Sequence, residues 1–178
     1  MHTPSHLGGH QGITHTDAAV LEYIIARHGV RSMLDVGCGP GGMRDLAVAR
    51  GVSWLGVDGD PQVCWSNRAI TCHDYTTGPF LAMPVDLIWC VEFVEHVAPE
   101  YVGNFLATFD AGRVLFLTHA LPEQEGHHHV NCQPASYWCE LLTARGWNED
   151  SDGTNWCRFY ATVPFITATG MLFTKEGS

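Results

Sequence analysis

The stretch LDVGCGPGG places Gly37, Gly39, Gly41 and Gly42 ahead of a helical pattern that begins near Met43. Glycines so spaced allow a tight turn at positive φ and let a ligand come close to the backbone. The string fits two patterns, since Gly37, Gly39 and Gly42 satisfy G-x-G-x-x-G while Gly37, Gly39 and Gly41 satisfy G-x-G-x-G. Asp58, in GVDGD, lies 21 residues after Gly37, where a carboxylate can accept hydrogen bonds from both hydroxyls of a ribose. That pairing suits a dinucleotide as well as other nucleoside cofactors. Glu92, Glu95 and His96, in DLIWCVEFVEHVAPEY, carry different chemistry. If this segment turns helical, spacings of three and four bring the three side chains onto one face. Two carboxylates side by side repel, so a cation or a shared proton is a natural reason to find them together. The plainer alternative is a carboxylate facing a cofactor amine, an N-cap and a buried histidine. Histidine, at eleven residues, is the compositional outlier, and His127, His128 and His129 stand together in EGHHHVNCQPASYW.

These residues need a frame that gathers them. Short apolar runs at 32–36, 52–57, 70–73, 85–90 and 113–118 read as buried strands, and the terminal GMLFTKE as a last one. Helical patterns alternate with them. From Thr16 as N-cap, Leu21, Ile24, Ile25 and His28 fall at i, i+3, i+4 and i+7, and Gly29 suits the helix end. A second pattern spans 99–109, with Pro99 in its first turn and Val102, Phe105, Leu106 and Phe109 on one face. A third spans 134–146, opened by Pro134 and closed by Gly146. Strand and helix alternating in this way predict an α/β, doubly wound, Rossmann-like and mostly parallel sheet with helices on both faces. Such sheets bind ligands at the carboxyl ends of their strands, which is where the glycine loop, Asp58 and the Glu92–His96 segment fall.

With Asp35 two residues before the first glycine, residues 14–146 resemble the class I S-adenosylmethionine (SAM) dependent methyltransferases, a seven-stranded variety of this fold. The resemblance implies that the glycine loop, Gly37, Cys38, Gly39 and Gly41, passes under the methionine part of SAM. Asp35 would shape the loop and help hold the SAM amino group, and Asp58 with Gly59 would take the ribose. Asp74, in CHDYTTG, would reach the adenine amino group, with Tyr75 against the adenine ring. Val91 and His15 are further expected cofactor contacts. The string E-x-x-E-H followed by a later histidine also resembles the metal motif of the small-RNA 3′-terminal 2′-O-methyltransferases and of the ubiquinone-biosynthesis O-methyltransferases. It implies a divalent ion, Mg, Mn, Fe or Zn, on Glu92, Glu95, His96 and His129, with His127, His128 and His119 as competitors for the last place. Glu92, His96 and His129 are accordingly the expected catalytic residues, and one of the histidines could instead be a general base.

Composition bounds the rest. The 178 residues suit one domain, 1–178, with residues 1–15 a Gly- and His-rich arm that cannot fold alone and is expected to act as a lid, with Gln11, Thr14 or His15 near the ligand. A net charge of −10, from 9 basic and 19 acidic residues, argues against a phosphate-backbone binder. Seven cysteines, never spaced C-x-x-C, read as small buried hydrophobes of a reducing compartment, and neither a membrane span nor a signal peptide is visible, so the expected location is the cytoplasm. Cys90 is read as a core residue. The aromatic residues Trp156, Phe159, Tyr160 and Phe165 are read as core or lid ahead of a base-stacking platform. The expected activity is methyl transfer to a hydroxyl, ahead of an amine, of a small polar molecule. The alternatives are the terminal ribose of an RNA and a SAM- or nucleotide-binding module without chemistry.

Overall fold

The computed structural model describes residues 4–10 and 12–175. In chain order its elements are α1 (Ala18–His28), β1 (Ser32–Val36), α2 (Met43–Ala49), β2 (Ser53–Asp58), α3 (Pro61–Ser66), β3 (Ile70–Cys72), β4 (Val85–Cys90), α4 (Val102–Phe109), β5 (Gly112–Leu117), α5 (Ala135–Thr143), β6 (Asn148–Glu149), α6 (Ser151–Tyr160), α7 (Pro164–Thr169) and β7 (Met171–Thr174). The strands form one sheet in the order β3-β2-β1-β4-β5-β7-β6. All pairings from β3 to β5 are parallel, while β7 runs antiparallel to both β5 and β6. This order departs from the 3-2-1-4-5-6 arrangement of dinucleotide-binding sheets, because β7 is inserted between β5 and β6.

The central strands read as continuous apolar runs because both of their faces are covered. Side chains alternate across the sheet. Leu34, Ile88, Cys90, Leu115 and Leu117 face a core completed by α4 and α5 through Phe105, Phe109, Trp138 and Leu142. Met33, Leu87, Trp89, Val114 and Phe116 face the opposite core, completed by Leu21 and Ile24 of α1, Met43 of α2, Cys157 of α6 and Ile166 of α7. The burial of Cys90 among these residues agrees with its reading as core. Trp156 stacks on Tyr23 of α1 at 3.9 Å between ring centroids, whereas Phe159 is 80% exposed. No helix among the described residues is long and apolar enough to cross a membrane.

Two local expectations need correction. The N-cap of α1 is Asp17, not Thr16, because the Asp17 carboxylate accepts from Val20 N. The segment after β4 is not a regular helix. Glu92 sits at φ +52 and only a short 3₁₀ turn, Val94–His96, follows.

Asp17 does more than cap. Fully buried, its other oxygen accepts from Thr162 N at 2.6 Å and Val163 N at 3.2 Å, tying the end of the arm to the turn between α6 and α7. Replacing Asp17 by Ala removes a cap worth about 1 kcal/mol and strands buried N–H groups at roughly 1–3 kcal/mol more. Thermal denaturation of Asp17→Ala should show a midpoint lower by roughly 5–15 °C. A shift within 2 °C of wild type, about what 1 kcal/mol or less produces, would contradict this account.

Candidate active site

β1 is flanked by β2 on one side and β4 on the other, so the connections that leave its carboxyl end and that of β4 diverge and open a crevice. A cavity of 440 Å³ lies there, within the roughly 300–1,000 Å³ usual for small-molecule sites. Its floor is the glycine loop between β1 and α2. Gly37, Gly39 and Gly41 adopt φ of +71°, +51° and +86°, which a side chain would strain. At Gly37 a Cβ would stand 2.4 Å from the Phe93 ring. Of this loop, Gly37, Cys38 and Gly39 line the cavity, whereas Gly41 turns away to pack against Asn67, Trp54 and Ile70.

The acids predicted from their places after strands line the same cavity. Asp58 closes β2 and accepts from Gly39 N and Asp60 N, both at 2.8 Å, so one carboxylate fixes the glycine loop and the following turn, in which Gly59 is also a wall residue. Burial raises the Asp58 pKa, and those two backbone donors oppose the rise. Asp35 is 3% exposed, and burial pushes its pKa up to about 7 although Trp54 Nε1 donates to it at 3.1 Å. Asp74 follows β3. Burial raises its pKa, but hydrogen bonds from His6 and Thr76 outweigh that and leave it low. Tyr75 is 4% exposed, its ring set edge-on to those of His73 and Phe93, so it offers the cavity little free face. Val91, His15 and Phe165 complete this side, the last two in edge-to-face contact.

Beyond β4 the expected Glu and His residues divide. Glu95, His96 and His129 each offer a ligand atom within 4.8 Å of the others. Glu92 does not join that group. Its backbone N donates to Thr118 Oγ1, which donates in turn to Glu92 Oε1 at 3.0 Å, and this clasp holds the residue at positive φ with its carboxylate on the cavity. Glu95 is fully buried, and neither of its carboxyl oxygens has a hydrogen-bond partner among the described residues. Burial, with the nearby Glu92 charge, pushes its pKa up to about 8. Its backbone oxygen accepts from Val130 N and Asn131 N, which holds the histidine-rich loop against the turn. Burial lowers the His96 pKa to about 4, so its imidazole is neutral. Because the His127 carbonyl can only accept, His96 Nδ1 carries the proton and Nε2 keeps a lone pair. His129 Nδ1 is fixed in the same way by the Gln124 carbonyl. His119 is buried outside the cavity, against Thr169.

No motif pointed to His6, His10 or His73, yet all three line the cavity. The only advance sign was the excess of histidine. Thr14 also lies on the wall, while Gln11 falls outside the described residues.

Comparison with known proteins bears on this arrangement. Residues 34–115 match the family described as Methyltransferase domain. No curated protein matches by sequence. Solved structures do match by fold. An S-adenosylmethionine-dependent methyltransferase from Clostridium acetobutylicum aligns with a TM-score of 0.66 at 11% identity, covering 90% of this chain and 91% of that one. Magnesium protoporphyrin IX methyltransferase from Synechocystis, with bound SAM, aligns at 0.61 and 16% identity over 89% of this chain and 77% of its own. The methyltransferase domain of bacterial CtHen1-C aligns at 0.63 and 12% identity over 90% and 97%. At these identities the likeness is one of fold. Together with the domain matched over residues 34–115, and with a sheet whose strand ends gather the glycine loop and its acids around one cavity, it gives this chain the fold of the SAM-dependent methyltransferases and a methyltransferase-like segment at its centre.

Proposed function

We propose that this chain is one methyltransferase domain, 1–178, that transfers the SAM methyl group to a hydroxyl of a small polar substrate, assisted by a divalent cation. The observation that carries the reading is Glu95, a buried carboxyl with no hydrogen-bond partner on either oxygen among the described residues, beside the fixed imidazoles of His96 and His129. A buried carboxylate without a partner is costly, and a cation would supply one. The mixed oxygen and imidazole set suits Mg, Mn, Fe or Zn. Bound there, such an ion would lower the pKa of a coordinated hydroxyl.

SAM supplies a methyl group on a sulfonium, and alignment with the acceptor is the largest catalytic term. The residues that would hold it are Asp58 for the ribose, Asp74 for the adenine amino group, and Asp35 for the ammonium, with Gly37, Cys38 and Gly39 beneath the methionine part. Gly59, Tyr75, Val91 and His15 would contribute packing, and Gly41 would act by shaping the loop. Glu92, whose pKa burial raises, is placed to accept the hydroxyl proton, because a base of raised pKa is the stronger acceptor. A small acceptor is favoured over RNA because none of the nine Lys and Arg residues lines the cavity. Seven unpaired cysteines support a reducing compartment, the cytoplasm.

Three measurements test this reading. Calorimetry should show SAM binding that weakens by roughly 1–3 kcal/mol in Asp58→Ala, the cost of unpaired hydroxyls. An unchanged affinity would remove Asp58 from the site. A screen of polyhydroxylated acceptors, following S-adenosylhomocysteine, should find turnover that a chelator stops and Mg²⁺ or Mn²⁺ restores. Turnover indifferent to chelation would leave methyl transfer standing without the metal. The third follows from Glu95. Its folded pKa, about 8, exceeds its ordinary 4.5, so the protonated carboxyl contributes stability at low pH that is lost as pH rises from about 5 through 8. In metal-free protein the melting temperature should fall over that window, and Glu95→Gln should flatten the slope. Equal slopes in variant and wild type would show that Glu95 is not the titrating group.

A further inference from the structure

The N-terminal arm is too short and too polar to fold alone, yet residues 4–10 follow a defined path, and His6 to His10 line the cavity. A tight turn shapes its start, closed by Leu7 N donating to Pro4 O at 3.0 Å, and further along Ile13 N donates to His10 O at 2.8 Å. Gly8 and Gly9, at φ of +88° and +89°, carry the chain on from that turn to His10. A Cβ on Gly9 would stand 2.7 Å from the His127 ring, and one on Gly59 would stand 2.5 Å from Leu7. The arm is therefore fitted to both the histidine loop and the turn after β2.

Two histidines fasten it. His6 Nε2 lies 2.9 Å from Asp74 Oδ2, while Asp74 Oδ1 is occupied by Thr76 N and Thr76 Oγ1. His10 Nδ1 accepts from Gly12 N at 2.9 Å, which leaves its proton on Nε2, and that nitrogen donates to Asp60 Oδ2 at 3.1 Å. Asp60 Oδ1 meanwhile accepts from Gln62 N at the start of α3. Further along, Thr14 Oγ1 accepts from Gly42 N at 3.0 Å, where the glycine loop enters α2. The arm thus spans from the β3 turn through the β2 turn to the glycine loop, the three segments proposed to hold adenine, ribose and methionine.

We infer that His6 and His10 are positioning residues for the cofactor: through Asp74 and Asp60 they latch the arm over the occupied cavity and set how fast SAM leaves. The inference rests on the proposal that the cavity holds SAM. Each bond is individually modest and partly solvated, and the arm contributes little apolar burial, so it opens far more easily than the sheet. Opening requires both pairs to part. While they hold, the arm would keep water from the cavity and hinder the cofactor's exit on this side.

The test uses the full chain and stopped-flow dissociation of SAM. Wild type should bind SAM, and if it does not, the assignment of the cavity fails and the latch with it. Given binding, His6→Ala and His10→Ala should each release SAM about fivefold to tenfold faster, what one net hydrogen bond supplies, and the double variant faster still. Association should be unchanged or quicker, and the melting temperature without SAM should hold. His6→Gln and His10→Gln, whose amides present an N–H near the Nε2 position, should recover much of the slow release. This rescue, with an effect confined to dissociation, is what a general loss of structure would not produce. Wild-type release rates in the double variant, or tighter SAM binding as expected of a plug, would overturn the latch while leaving the cavity's assignment intact.

Discussion

The Asp58 carboxylate is the interaction on which the site's geometry depends. Its two oxygens take Gly39 N and Asp60 N, so the end of β2 determines where the glycine loop lies and where the following turn begins. Gly37 N and Cys38 N both donate to Val57 O one residue earlier, which adds a second tie between the same segments. Glycine at 37 and 39 is the condition for this closeness, since the loop turns through positive φ with the Phe93 ring lying against it. The floor of the cavity is in this sense a consequence of strand pairing: β1 and β2 are in parallel register through Val36 and Val57, and their continuations are joined before any ligand arrives.

The other side of the cavity is less comfortable for the fold. Asp35 on the wall and Glu95, buried outside the cavity lining, are acids whose pKa values are pushed up to about 7 and about 8, and Glu92 on the wall is held at φ +52. Groups of this kind cost stability when nothing cationic faces them, and strained or mismatched groups persist where surrounding structure fixes them. Here the fixing is visible. Thr118 at the end of β5 clasps Glu92, and the Glu95 backbone oxygen receives two N–H groups from the histidine loop. The polypeptide keeps these acids in place with no Lys or Arg acting on them, which is the arrangement expected of a site that leaves the pairing charge to its ligands.

The sheet was legible in sequence because its central strands are buried on both faces and read as unbroken apolar runs. The runs at 32–36 and 85–90 coincide with β1 and β4. The two-residue β6 and the polar SDGTNWCRFY of α6 were not legible. The latter is helical because Asp150 caps Gly153 N and Trp156 stacks on Tyr23 of α1, and neither contact leaves a periodic trace. The Glu92–His96 segment shows the same limit at the site. Helical spacing predicted three side chains on one face, but Thr118, 26 residues away, turns Glu92 out of the set. Glu95 and His96 were correctly drawn to one place, and His129 with them, because the loop carrying it is hydrogen-bonded to Glu95 itself. The arm's His6 and His10 were visible only as an excess of one residue type, since their partners lie 68 and 50 residues along the chain.

Charge is divided along the strands, and that division bears on which molecules the cavity favours. At the amino ends of the parallel strands Arg113 bonds Asp86, whose other oxygen takes Arg31 N and Ser32 N, and Arg145 and Lys175 both reach Asp110. Arg113, Arg145 and Lys175 are thereby committed to the edge opposite the cavity. At the carboxyl ends Asp35, Asp58, Asp74 and Glu92 share the cavity wall with histidines and with no Lys or Arg. A mouth of this kind attracts cations and repels phosphates. On the proposed reading the cofactor enters carrying a sulfonium and an ammonium, both suited to an acidic wall. After transfer the sulfur is a neutral thioether, so one of the two attractions is gone and the spent cofactor is held less strongly than the fresh one. The same acids that favour entry therefore favour turnover, provided that the loss of charge, rather than the arm, sets the balance between substrate and product.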